Sequence, residues 1–313
     1  MQYKWIKNVA KISDDYTIIH FYNIFNNKIK PNTLPENLTT LTFGNRFNQK
    51  IEPNILPKNL TTIIFGYDFD QGIDPNTLPK NLKSLTFKYK FNQKIEPNTL
   101  PKNLITLTLG YKFSQKIEPN TLPENLLFLT FGGKFNQGID PNTLPENLVS
   151  LIFGWYFDQK IESNNLPKNL INLTFGNKFN QKIEPNSLPE NLTTLTFEDK
   201  FNQKIESEML PSNLNNINFN WIYYNKKYPV DHHIEMINNI PSHYQVVLLL
   251  KKDIFDVDGP KWPIHVVDYK ENEWSSEIYE IQDKYDHSIY GSITILINKE
   301  TYQSYSSAKS AFK

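Results

Sequence analysis

The chain has 313 residues, with 33 basic and 33 acidic side chains that cancel to zero net charge, and no cysteine. Charge balance argues against a nucleic-acid binder, which needs a basic excess, and the missing thiols exclude disulfides and thiolate metal sites. No stretch reaches the ~18–20 apolar residues of a membrane span, and the opening MQYKWIKNVAKISDD lacks the apolar run of a signal peptide, so a soluble, cytoplasmic protein is expected.

Residues 1–11 read as an N-terminal extension. Ile12-Ser13-Asp14-Asp15-Tyr16 is a degenerate copy of Leu34-Pro35-Glu36-Asn37-Leu38 and opens a first coil with a strand near residues 16–21. From Phe25 the chain repeats every 22 residues without insertion: Phe25, Phe47, Phe69 and onward to Phe201, with Ile29 to Ile205 and Pro35 to Pro211 in step. A fixed period of that size marks a solenoid. One such unit cannot bury its apolar face alone, so units must stack.

Leu34 to Ile55 serves as the unit. Leu41 and Phe43 alternate with Thr40 and Thr42, the period-2 pattern of a half-buried strand. Gly44 is expected to turn the chain after it. Lys50-Ile51-Glu52 reads as a short extended back with Ile51 inward, and Pro53 and Pro57 exclude helix. Leu38, Leu41, Phe43, Phe47, Ile51 and Leu56 form the expected inner column. The columns through Asn37 and Asn48 are expected to satisfy backbone groups of the neighbouring coil.

The pattern weakens after Phe219: Lys227 falls in the inward Ile column. Residues 240–250 read as one further divergent coil after an insert of helical character. Beyond 251, Ser292–Asn298 reads as a strand and Tyr302–Phe312 as a short helix. The chain thus divides into the extension 1–11, a solenoid at 12–227 and a C-terminal cap region at 228–313. The expected class is mainly β: a parallel-sheet solenoid of about ten to eleven coils, with strands ~4.8 Å apart and a non-repeat α+β cap.

Phe47-Asn48-Gln49-Lys50-Ile51-Glu52-Pro53, echoed at Phe91–Pro97 and Phe179–Pro185, resembles the core of the FNIP repeat over roughly residues 25–219. The resemblance implies a leucine-rich-repeat-like solenoid from social amoebae or from giant viruses of amoebae. A viral origin would place the protein in the host cytoplasm. Relatives often carry an N-terminal F-box that recruits a ubiquitin ligase. Eleven residues before the first coil are too few for one, so an adaptor role would fall to the C-terminal region.

Columns that vary between units are free to specify a partner. One reads Asn45, Tyr67, Tyr89, Tyr111, Gly133, Trp155, Asn177, Asp199 and Trp221; the next reads Arg46, Asp68, Lys90, Lys112, Lys134, Tyr156, Lys178 and Lys200. Phe128 is an aromatic in a strand column otherwise made of Thr, Ser and Asn. Tyr and Trp are frequent interface hot spots. The expected partner-binding strip is Tyr89, Tyr111, Phe128, Trp155 and Tyr156 along one sheet edge. For Tyr67, Tyr89 and Tyr111 a second reading stands, in which the rings only stack on each other.

Catalytic signals are weak. Ser306-Ser307-Ala308-Lys309 matches S-x-x-K without its partner motifs and reads as a helix start. Asp256-x-Asp258-Gly259 lacks a calcium loop's closing Glu and reads as a turn. His232 and His233 would face opposite sides of a strand, unlike a metal pair. The expectation is a protein–protein interaction scaffold with no enzymatic activity, cofactor or metal, and with neither nucleic acid nor membrane as partner.

Overall fold

The computed structural model describes Ile6 and residues 8–222, together with four later strands. An N-terminal hairpin pairs β1 (Ala10–Ile12) antiparallel with β2 (Ile18–Phe21). Parallel strands then follow at the repeat spacing: β3 (Thr40–Thr42), β4 (Thr62–Ile64), β5 (Ser84–Thr86), β6 (Thr106–Thr108), β7 (Phe128–Thr130), β8 (Ser150–Ile152), β9 (Asn172–Thr174), β10 (Thr194–Glu198) and β11 (Asn216–Ile222). β12 (Gln245–Lys251) adds parallel to β11, and β15 (Ser292–Ile297) closes that edge antiparallel. These strands make one 13-stranded sheet, and β13 (Ile264–Lys270) pairs with β14 (Glu273–Tyr279) separately. The helix read at Tyr302–Phe312 and the helical insert before residue 240 lie outside the described residues.

Registers advance by one repeat, Thr40 opposite Thr62 and Leu41 opposite Ile63, so every column in the sequence becomes a column in space. Each coil is one short strand and three tight turns. In the second coil the turns close with Phe47 N–H donating to the Gly44 carbonyl, Ile55 N–H to Glu52 and Leu60 N–H to Pro57. Leu38, Leu41, Phe43, Phe47, Ile51 and Leu56 are all buried, as their alternation demands. Inside every repeat coil except that of Leu109, two phenylalanines stack face to face, as Phe43 on Phe47 at 4.1 Å. Each also stacks on its counterpart in the next coil, Phe43 on Phe65 at 5.1 Å and Phe47 on Phe69 at 6.0 Å. Burying one such ring contributes on the order of 2–3 kcal/mol, and it does so in two columns, one of them interrupted only at Leu109.

Polar ladders hold the turns. The Asn48 Oδ1 accepts from the Asp70 N–H at 3.0 Å and from the Gln71 Nε2 at 3.0 Å. The Asn59 Nδ2 donates to the Glu36 carbonyl at 2.9 Å. Both are backbone groups that a tight coil leaves without a sheet partner.

The glycine after each strand serves a purpose different from the expected one. None of the described glycines has positive φ; in the repeats the left-handed turn residues are asparagines, from Asn32 to Asn186, with φ between 58° and 68°, and in the hairpin it is Tyr16 at 60°. In Glu52-Pro53-Asn54-Ile55 the proline presets the turn's first corner and Asn54 takes the left-handed second corner, which asparagine tolerates better than other side chains. The glycines instead let coils touch. A Cβ on Gly44, Gly66, Gly132, Gly154 or Gly176 would lie 1.7–1.9 Å from a backbone oxygen of the preceding coil.

Candidate functional site

The five aromatics expected to form one strip are divided by the structure. Phe128 opens β7 and is in register with Thr106 and Ser150. Tyr89 and Tyr111 come three residues after β5 and β6 end, and Trp155 and Tyr156 follow β8 in the same way. The group therefore occupies both ends of the strands rather than one edge.

At the far end the tyrosines make a continuous row. Tyr67 stacks on Tyr89 at 4.2 Å and Tyr89 on Tyr111 at 5.1 Å. Glycine at the next position leaves room for the Tyr111 ring, since a Cβ on Gly133 would come within 2.3 Å of it. Across that gap the Tyr156 phenol is close enough to act on the Tyr111 hydroxyl, as Tyr89 acts on Tyr67. Partial desolvation, then the paired neighbouring phenol, pushes Tyr67 and Tyr111 above the ordinary tyrosine pKa. The stacking reading therefore holds for Tyr67, Tyr89 and Tyr111, but the row still faces solvent. Tyr67 is 43%, Trp155 46% and Tyr156 43% exposed.

Cations line the row. The Lys112 ammonium lies over the Tyr89 ring at 5.7 Å. Lys90 pairs with Asp68 at 2.8 Å, and that carboxylate raises its pKa. Lys88, Lys112 and Lys134 are exposed and make no ion pair among the described residues. The back of the coils differs: Lys50 pairs with Asp74, Lys94 with Glu96, Lys116 with Asp140 and Lys182 with Glu184. Gly72 and Gly138 replace lysine where the acid is Asp74 or Asp140, and the lysine of the preceding coil bridges across.

At the near end, Phe128 is 45% exposed beside an open groove along the array. Its walls are the column from Asn37 to Asn191 and the column from Thr39 to Thr193. The second column reads Thr39, Thr61, Lys83, Ile105, Leu127, Val149, Ile171 and Thr193. Four consecutive coils are apolar where the flanking coils carry Thr or Lys, and Ile171 is 39% exposed. This run was missed in the sequence reading, although the column contrast that would reveal it was present. Together with Phe128 and Ile152 it makes an apolar patch that the coil itself does not require.

Among the described residues no cluster of His, Cys, Asp or Glu could hold a metal ion. No helix among them is long and apolar enough to cross a membrane.

The FNIP Repeat matches residues 25–68, 47–90, 69–112, 91–134, 135–178 and 179–220. Among solved structures the chain is similar to CroV588, titled a novel circular LRR protein structure and coming from a giant virus, at 39% identity and a TM-score of 0.59. That match covers 76% of this chain and 37% of CroV588, so the chain spans little more than a third of its length. No curated protein matches the chain. A solenoid built from these matched units places the chain in the FNIP repeat family.

Proposed function

We propose that the chain is a protein–protein interaction scaffold of the cytoplasm, without catalysis. Its partner-binding surface comprises Tyr89, Tyr111, Trp155 and Tyr156 at one end of the strands, and Phe128 with the apolar groove at the other. Residues 228–313 close the array as an α+β cap. The observation that carries this reading is the contrast between columns. Buried columns repeat almost without change, while exposed columns vary from coil to coil, with aromatic or apolar side chains gathered between Tyr67 and Ile171 and again at Ile18, Tyr22 and Ile24 of the first coil. A partner seated on aromatic anchors loses ~2 kcal/mol or more when one is truncated.

The test is affinity capture from host cells with the intact chain, the Trp155→Ala/Tyr156→Ala variant, Phe128→Thr, and a back-face control, Lys94→Ala. A partner retained by wild type and control but lost with either surface variant supports the scaffold. Equal capture by all four sinks it. A ubiquitin-ligase subunit whose capture depends on residues 228–313 would replace it with the adaptor reading.

A further inference from the structure

The tyrosine row has a chemistry that selects its occupant. On the back face Lys50, Lys94, Lys116 and Lys182 are neutralised by carboxylates at 2.7–3.6 Å, while Lys28 and Lys160 of that column make no ion pair among the described residues. Beside the row, Lys88, Lys112 and Lys134 lack such partners among the described residues, and the one carboxylate among them, Asp68, is taken by Lys90. The tyrosine faces are closed on one another at 4.2 and 5.1 Å, so no planar ring can slip between them. What they offer outward is ring edges and hydroxyls. Ring edges carry the positive part of the aromatic quadrupole, and phenols donate hydrogen bonds. Trp155 and Tyr156 stack on no other ring among the described residues, and they are 46% and 43% exposed.

We propose that this edge receives an acidic linear segment of a protein partner, with carboxylates beside Lys88, Lys112 and Lys134 and one large apolar side chain against Trp155. The inference rests on the scaffold reading and names the chemistry of what binds there. From Tyr67 to Trp155 the row is about 19 Å long at ~4.8 Å per coil. That length suits about six residues of extended chain. Single-stranded nucleic acid is the other anionic polymer, but its bases bind by stacking on open aromatic faces, and here the tyrosine faces are covered.

The experiment selects random peptides, about twice that length, from a display library on the full chain. It repeats the selection on Lys88→Glu/Lys112→Glu/Lys134→Glu, whose fold is checked by its melting curve. Acidic peptides bearing a large apolar residue should be enriched on the wild-type chain and lost, or exchanged for basic ones, on the triple variant. A selected acidic peptide should bind the triple variant about tenfold or more weakly, and Trp155→Ala about tenfold more weakly. Enrichment of neutral or basic peptides, no enrichment, or the same peptides on both proteins overturns the proposal. Binding of oligo-dT that the triple variant abolishes overturns it in favour of nucleic acid. Capture of a cellular protein that depends on Phe128 but ignores the charge reversal would defeat this inference while leaving the scaffold standing.

Discussion

The coils on either side of residues 100–121 are alike, and that coil is not. Elsewhere the stacked Phe column runs from Phe131 through Phe153 and Phe175 to Phe197, and from Phe21 to Phe87 on the other side. Leu109 interrupts it. Elsewhere an Asn or Asp oxygen accepts the next coil's N–H and glutamine amide, as Asp158 does from Asn180 and Gln181 at 2.9 Å. Ser114 is too short to do so. Gln137 reaches its backbone carbonyl at 3.0 Å instead, and the Asn136 N–H meets no side-chain acceptor among the described residues. One coil therefore lacks both inner continuities, while the next coil carries Phe128 outside and the one after it Trp155 and Tyr156. A repeat array tolerates such a lapse because each coil depends only on its neighbours.

The largest effects should come from breaking the regular coils. Phe135→Ala removes a fully buried ring and should cost ~3–5 kcal/mol in denaturant melts. Gly132→Ala puts a Cβ 1.9 Å from the Gly110 oxygen and should cost about 3 kcal/mol. Gly138→Ala meets nothing within 4 Å and should stay within ~0.5 kcal/mol of wild type. Equal losses at the two glycines would refute the close-contact role of the column.

Repairing the irregular coil should work in the opposite direction. Ser114→Asn restores an acceptor for the Asn136 N–H and the Gln137 amide, and should raise stability by about 1 kcal/mol. No gain would mean that Asn136 is already satisfied by water. The buried hydroxyls of Thr77, Thr99, Thr121 and Thr143 have no partner, and Ile55 occupies the same column without one. Thr121→Val should therefore be neutral or stabilising by up to ~1 kcal/mol. At the surface, Trp155→Ala should change the melting midpoint by no more than ~0.5 kcal/mol allows. A large loss would move that ring from the interface to the fold.

A smaller effect follows from acid titration at the N-terminal hairpin. The Ser13 hydroxyl, then the Thr17 N–H and hydroxyl, lower Asp15 from 3.8 to about 2. With a depressed native pKa, its contribution is present above the unfolded value. It is lost as pH falls from 3.8 toward about 2. Asp15→Asn should flatten that part of the acid titration.

Much of this was readable because repetition prints the interior onto the sequence. Leu38, Phe43, Phe47 and Ile51 recur in phase, and burial follows from phase. The glycine role was not readable, since it depends on how closely one coil lies on the next. Nor was the separation of Phe128 from the tyrosines: a column index gives neighbours along the axis, not which end of the strand a side chain occupies. The Tyr111–Tyr156 contact was hidden because it skips a coil whose residue, Gly133, carries no side chain.

The spacing of the rings has a geometric consequence. Hydrogen-bonded strands sit ~4.8 Å apart. Phenylalanines next to the sheet repeat at 5.1–5.8 Å, and those deeper in at 6.0–6.3 Å. Each coil is therefore a wedge, thin at the sheet and thick behind it. Stacked wedges bend the array into an arc with the strands on the concave side. The lysine ladder of the back fans apart on the convex side, which eases repulsion between its like charges. Phe128 and Ile152 look into the hollow, where a partner would be embraced rather than merely touched.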